Sequence, residues 1–290
     1  MKDLTVFVLT HNRGELLLET IDSVLKQTCH DFKFIVSDNS SNDETMKMLE
    51  EKKYLDKFEY RKRDREYSSF EHFNICMNEV NTKYFILFHD DDLMIENFVE
   101  NMYSSIFNEK YIAVGCNSFI LRKTEKTKNI YLKTKKNILI NNESELVQQY
   151  LCDNIVPYPS YIYNTEKIRE NNILYENTVG KYSDVAWLLK LLKFGSIYWL
   201  KKEFMYYRVH GNQDSNKIDF YNQLKLLKLY KKYSTNKYLR KLLMKKHIKF
   251  LYNYESSTKK SYRNWRIYYK YSRFELFPKI IIKKLLRIYK

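Results

Sequence analysis

The sequence has only 5 glycines, 3 prolines and 4 cysteines among its 290 residues, and each shortage removes a class of protein. So little Gly and Pro argues against collagen-like, linker-rich or disordered chains, whose compositions cannot bury a core. The cysteines, Cys29, Cys76, Cys116 and Cys152, stand far apart with no CxxC pair, so a zinc ribbon or thioredoxin-like motif is excluded and buried thiols are expected. Neither GxGxxG nor GxxxxGK[ST] occurs, which argues against a dinucleotide dehydrogenase and against a P-loop kinase or NTPase. No stretch approaches the roughly 18 apolar residues of a membrane helix. The first residues enter a strand without a cationic, apolar signal segment, so the expectation is a cytoplasmic protein without a membrane span.

Hydrophobic residues make up 44% of the chain and aromatics 16%, enough for a packed core in one large domain or one domain with an appendage. The net charge of +16 is unevenly spread. From Tyr221 to Lys290 there are 21 Lys and Arg against two acids, Glu255 and Glu275, so residues 1–220 are slightly acidic. Any partner that the basicity implies belongs to the C-terminal region.

The chain is organised around Lys83–Glu96, KYFILFHDDDLMIE. Tyr84 to Phe88 suit a strand buried on both faces of a parallel sheet, and Asp90, Asp91 and Asp92 follow where that strand ends. Ligands of open parallel sheets sit beyond the carboxyl ends of the strands. Adjacent carboxylates repel, and a divalent cation carrying a phosphate resolves the repulsion; hard oxygen ligands suit Mg2+ or Mn2+. An acidic turn capping the next helix is the alternative.

Leu4 to Leu9 is a second buried-type strand running into the polar loop Thr10-His11-Asn12-Arg13-Gly14, and Glu15–Gln27 follows as an amphipathic helix. Phe34 to Val36 form the next strand, ending at Ser37-Asp38; Asp38 is placed to meet a base or ribose, or to be a plain turn aspartate. Phe58 to Tyr60 is a weak third strand, and a helix around Ser69 to Val80 leads into the acidic strand. Alternating strands and helices predict an α/β, Rossmann-like, mostly parallel sheet flanked by helices. Tyr111–Gly115 and Asn117–Leu121 read as further strands before a polar loop or hairpin reaching about Asn142. Asp184 opens a helix whose Val185, Leu188, Leu189 and Leu192 share one apolar face, so its carboxylate is presented from a rigid element, as a functional acid or as a cap.

Five segments in order, LTVFVLTHNR, VSDNSSND, FNICMNEVNTKYFILFHDDDLM, KYSDVAWLLKLLKFG and YYRVHGNQDS, resemble the family-2 glycosyltransferases of the GT-A fold. The resemblance covers residues 1 to about 215 and implies an inverting transfer from a nucleotide-sugar donor, UDP being favoured, to a hydroxyl of a glycan or lipid-linked acceptor in bacterial surface-glycan synthesis. It implies Mn2+ or Mg2+ as cofactor. By position, Thr10, His11, Asn12 and Arg13 match the loop contacting the nucleotide, and Asp38 matches the acid at the base, with Ser37 in place of a first acid. Asp90 falls among the donor contacts, and Asp91 lies where the family's metal ligand stands, with Asp92 beside it. His89 occupies the place of the commonest first aspartate. Strand alternation alone groups Asp90 with Asp92 instead. The resemblance makes Asp184 the catalytic base, with Ser183 replacing the glutamate before it. It sets Arg208 near the donor diphosphate and His210 on the metal or a phosphate oxygen. His11, His30, His72, His89 and His247 gain no role from sequence alone.

Domain boundaries are expected at about 120 within the glycosyltransferase part, between nucleotide and acceptor halves, and at 215/216, where a basic helical extension begins. Residues 219–252 are helical in pattern. Near the end, Lys279, Lys283, Arg287 and Lys290 oppose Ile281, Ile282, Leu285, Leu286 and Ile288, a basic amphipathic helix suited to an anionic membrane surface on the inner face of the cell membrane. Nucleic acid is not an expected partner. A sugar nucleotidyltransferase, and a basic binding protein with structural acids, are the competing classes.

Overall fold

Apolar runs with no polar side to show water end up in the middle of a sheet, and LTVFVLT and YFILFH do so as β1 (Leu4–Thr10) and β4. The computed structural model describes residues 3–107, 110–122, 125–132, 134–210 and 219–258. Their contacts divide into two units, parted between residues 216 and 217.

In the first unit, β1 is followed by α1 (Gly14–Leu25), β2 (Lys33–Asp38), α2 (Glu44–Glu51), β3 (Glu59–Lys62), α3 (Ser69–Glu79) and β4 (Tyr84–His89). Leu17, Ile21 and Val24 of α1 are wholly buried, as the helical spacing of the apolar residues requires. A capping box starts α3: the Ser68 hydroxyl accepts from Glu71 N at 3.4 Å and Glu71 Oε2 accepts from Ser68 N at 2.9 Å. The order β3-β2-β1-β4 is parallel throughout, the Rossmann-like half that the alternating pattern predicts.

The sheet continues with β5 (Leu93–Met94), α4 (Phe98–Ile106), β6 (Tyr111–Arg122), β7 (Glu125–Ile130), β8 (Ile138–Ile140), α5 (Glu143–Leu151), β9 (Ile162–Asn164), α6 (Thr165–Glu170), α7 (Ser183–Leu191) and β10 (Ser196–Val209). Here it is mixed. β9 lies antiparallel between β4 and β6, β10 runs parallel to β6, and β5, β7 and β8 pair antiparallel. Parallel pairing thus dominates only the first half. The two segments expected around Gly115–Asn117 form one strand, β6, and the polar stretch after it is a β6–β7 hairpin.

The second unit contains α8 (Phe220–Tyr233), capped by Asp219 Oδ1 accepting from Asn222 N at 3.0 Å, and α9 (Lys237–Thr258). The basic helix expected over Lys279–Lys290 lies outside the described residues. No described helix is long and apolar enough to cross a membrane.

Gly115 in β6 is closely packed: a Cβ there would meet the Tyr161 ring and Val156 Cγ2 at 2.9 Å. Tyr161 cannot yield, because its hydroxyl accepts from Trp199 Nε1 at 2.6 Å and its ring stacks on Tyr163 at 5.8 Å. Gly115→Ala should therefore lower the free energy of unfolding by about 1–3 kcal/mol, the usual cost of overpacking. Urea denaturation measures it, and an unchanged midpoint would mean that the Tyr161 layer repacks.

Candidate active site

Parallel pairing brings three loops to one edge. In register, Thr10 faces Asp38 and Leu9 faces His89, so the Thr10–Arg13 loop, the end of β2 and Asp90–Asp92 emerge together. After the triad the chain turns into β5, which pairs with β10 at Met205 and Tyr206 and so brings Arg208 and His210 to the acids from a distant part of the sequence.

All three aspartates are buried. Asp92 Oδ1 accepts from Arg208 N at 2.8 Å, and the Asp92 carbonyl accepts from Thr20 Oγ1 at 2.8 Å. Arg208 Nε donates to the Asp91 carbonyl at 2.7 Å and its Nη2 pairs with Glu19 Oε2 at 2.6 Å. His210 Nε2 lies 3.0 Å from Asp91 Oδ2, Arg13 Nη1 pairs with the same oxygen, and Arg13 Nη1 is also 3.5 Å from Asp90 Oδ1. Asp90 Oδ2 accepts from His11 N at 3.2 Å.

This arrangement separates three chemically identical acids. Burial and then the charge of Asp91 push Asp90 up to about 6. The same two causes push Asp92 well above the usual carboxylate range. Burial acts on Asp91 too, but His89, His210 and Arg13 outweigh it and hold Asp91 below its ordinary value. Asp91 is thus the acid around which positive and hydrogen-bonding groups gather.

A divalent cation fits these residues. Asp92 Oδ2 is buried with no hydrogen-bond partner, and His89, Asp91 and Asp92 each offer a ligand atom within 4.8 Å of the others.

The other nucleotide-side residues are placed as follows. Asn12 adopts a left-handed backbone, φ 54°, that Asn tolerates better than most residues, and its N donates to Ser40 Oγ at 2.8 Å. The His11 ring pairs with Glu66 at 2.9 Å on the surface, and the Thr10 carbonyl accepts from Asn39 N at 3.0 Å. Asp38 is wholly buried and well satisfied: Oδ1 accepts from Ser40 N at 2.8 Å, Oδ2 from Tyr60 OH at 2.6 Å and Lys62 Nζ at 3.3 Å. Beside it, Ser37 Oγ is 2.6 Å from His72 Nε2 and accepts from Arg63 Nη2 at 2.7 Å.

Asp184 is the second residue of α7, which begins after a short turn over Gly180–Tyr182 with Gly180 at φ 61°. The N-cap residue of α7, Tyr182, makes no side-chain cap bond, and Asp184 Oδ1 is buried without a hydrogen-bond partner. Burial, opposed only by the backbone N–H groups of Val185 and Asp184 itself, raises it to about 6. Ser183 is structural: its Oγ accepts from Val179 N at 3.1 Å and closes the turn.

Aromatic rings join the two acidic centres. Tyr158 lies 6.2 Å from the His89 ring and 6.3 Å from Trp187 of α7, with Phe73 and Tyr175 beside them. Tyr131 and Tyr207 contact each other at 5.2 Å, and both feel the charges of Asp184 and Asp92. Burial first and then those charges raise the Tyr131 hydroxyl to about 12. Sequence reasoning missed Glu19, His89, Tyr131, Tyr158 and Tyr207. His89 carried a signal in its place beside the aspartates, and Tyr207 in its place in the YYRVHGNQDS segment.

Buried acids thus cluster at the carboxyl edge of a parallel half-sheet, and a further buried carboxylate, Asp184, begins a separate helix. The family model described as Glycosyl transferase family 2 matches residues 5–170, and the chain belongs to that family. It is 23% identical over 201 residues to the teichoic acid poly(glycerol phosphate) polymerase of Staphylococcus epidermidis, covering 67% of this chain and 26% of the polymerase. It is 25% identical over 224 residues to the poly(ribitol-phosphate) β-N-acetylglucosaminyltransferase TarP of Staphylococcus aureus, covering 74% of this chain and 65% of TarP. The chain thus spans about a quarter of the polymerase and just under two thirds of TarP. In fold it resembles residues 1–349 of S. aureus TarS in complex with UDP-GlcNAc, with a TM-score of 0.62 at 15% identity over 89% of this chain and 74% of that one. The fold is GT-A.

The contacts of Arg208 predict a stability cost. Arg208→Ala should lower the unfolding free energy by about 1–3 kcal/mol by leaving the Asp91 carbonyl without its donor. Glu19→Gln, at a half-exposed acid, should cost less than about 1 kcal/mol. Equal losses in urea titrations would show that the ion pair, and not the carbonyl contact, carries the arginine.

Proposed function

We propose that this glycosyltransferase moves a sugar from a UDP-sugar to a hydroxyl of a surface glycan or lipid-linked acceptor, with inversion, and that Asp184 is the general base. The observation that carries the reading is the environment of Asp184: a carboxylate with one oxygen unpartnered, poised near neutrality by burial, across an aromatic wall from the aspartate triad. TarS is known bound to UDP and to UDP-GlcNAc, and TarP is named for N-acetylglucosaminyl transfer, so UDP-GlcNAc is the first donor to test.

In the proposed mechanism the Thr10–Arg13 loop receives the nucleotide and Arg13, already against the triad, meets the diphosphate. Asp91 and Asp92, with His210, hold Mn2+ or Mg2+, which when bound offsets charge on the departing diphosphate. GT-A structures such as GalNAc-T7 with UDP and Mn2+ support such an ion. The Tyr131–Tyr207 pair bounds the space between triad and base, where the sugar would lie. Asp184 takes the proton of the attacking hydroxyl, so attack comes from the face opposite the leaving group. A cytoplasmic enzyme held at the inner face of the membrane fits the cationic surface of α8, where Lys225, Lys228, Lys231 and Lys232 are exposed.

Asp184→Asn should cut UDP release from UDP-GlcNAc with acceptor by about 10²–10⁴-fold while leaving UDP affinity unchanged. Turnover near that of the parent would remove Asp184 as the base. Its raised value fixes a sign as well. The folded protein binds this proton more tightly than the unfolded chain, so Asp184 lowers stability as pH rises from the ordinary carboxylate range through about 6, and kcat/KM should fall below about pH 6 as the base protonates. Asp184→Asn should therefore melt higher than the parent at pH 7.5, with the difference vanishing toward pH 4. A variant that melts lower at pH 7.5 would contradict the burial account.

A further inference from the structure

His89 is the one imidazole at the triad that the mechanism above leaves unused. It closes β4, fixed opposite Leu9 in the parallel ladder, with its ring against Tyr158 at 6.2 Å. One of its ring nitrogens, an Asp91 oxygen and an Asp92 oxygen all fall within 4.8 Å of one another. A histidine that merely fills a core finds a hydrogen-bond partner, as His72 does with Ser37 Oγ at 2.6 Å. No such bond reaches the His89 ring among the described residues, and the nearby Asp92 Oδ2 also lacks a partner. Two ligand atoms without protein partners, one nitrogen and one oxygen, thus sit beside the Asp91 carboxylate, on which His210 and Arg13 converge.

We propose that His89 is a direct ligand of the cation and that it sets the site for a first-row transition ion, Mn2+ or Co2+, in preference to Mg2+. This rests on the reading that a cation is held at the triad. Mg2+ takes hard oxygen ligands in a strict octahedron and accepts imidazole poorly, whereas first-row transition ions accept nitrogen and carboxylate oxygen together. His210, 3.0 Å from Asp91 Oδ2, offers a second imidazole and pushes the choice the same way. Within the transition series affinity rises from Mn2+ to Co2+, so the expected order is Co2+ above Mn2+, and both well above Mg2+.

The test is Mn2+ titrated into the full chain with UDP present, with free Mn2+ read by electron paramagnetic resonance, Mg2+ and Co2+ as competitors, and bound nitrogen detected by pulsed resonance. The parent should show directly coordinated nitrogen and need a large excess of Mg2+ to lose Mn2+. His89→Ala should weaken Mn2+ at least about tenfold and lower the nitrogen coupling, in line with the cost of losing metal-site partners. His89→Asp, which rebuilds an oxygen ligand at the same place, should bind Mn2+ again and let Mg2+ compete far better than in the parent. An unchanged Mn2+ to Mg2+ ratio in both variants, with Mn2+ still bound, would overturn the assignment of His89 alone. If the parent binds UDP but no cation at all, the cation-dependent reading fails with it.

Discussion

Three consecutive carboxylates, all buried, terminate the central strand β4, and the rest of the first unit is arranged around making that tolerable. Buried like charges cannot all stay ionised without compensation. The compensation comes from three separate places: the His11 amide and Arg13 after β1, His89 at the end of β4, and the Arg208 amide and His210 on β10 and just beyond it. Only a sheet that places β1 beside β4 and folds β10 back onto β5 can deliver them together. The cost of the triad is therefore also what ties the parallel half of the sheet to its mixed half.

A division of labour among the acids follows. Asp91 is kept ionised by its neighbours, while Asp90, Asp92 and Asp184 are raised by burial. Groups with identical chemistry acquire different roles when their surroundings push their proton affinities apart. A charge that stays negative suits cation binding. A carboxylate poised near 6, on a rigid helix and out of reach of any described cation, suits proton removal near neutral pH. The aromatic layer of Tyr158, Trp187, Tyr131 and Tyr207 keeps the two apart in a region of low polarity, where each charge counts for more.

Much of this was legible in the sequence because β1, β4 and α7 carry strong patterns: unbroken apolar runs ending in acids, and an apolar helical face beginning at Asp184. The loop after β1, the triad and the end of β10, each singled out as a motif, meet in the structure. Three things were not legible. Strand direction in the second half was hidden, since an apolar run reads alike in a parallel or an antiparallel ladder, and β9 and β5 run antiparallel to their neighbours. Arg208 and Glu19 lie 189 positions apart, so the pairing that occupies a guanidinium expected at a diphosphate has no local signal. The partners of Asp38 had no local signal either: Tyr60 and Lys62 of β3, a strand expected only weakly, both donate to its Oδ2.

The central claim is that the triad and the Thr10–Arg13 loop form one cation-dependent nucleotide site. The most direct measurement is a thermal-shift panel of UDP, GDP, CDP and dTDP, each with and without Mn2+. A ligand at about 100 times its Kd stabilises by roughly 2.7 kcal/mol, which is easily seen. The account predicts a shift with UDP that grows sharply when Mn2+ is added, and little with the other nucleotides. A UDP shift that ignores Mn2+, or no shift with any nucleotide, would contradict it.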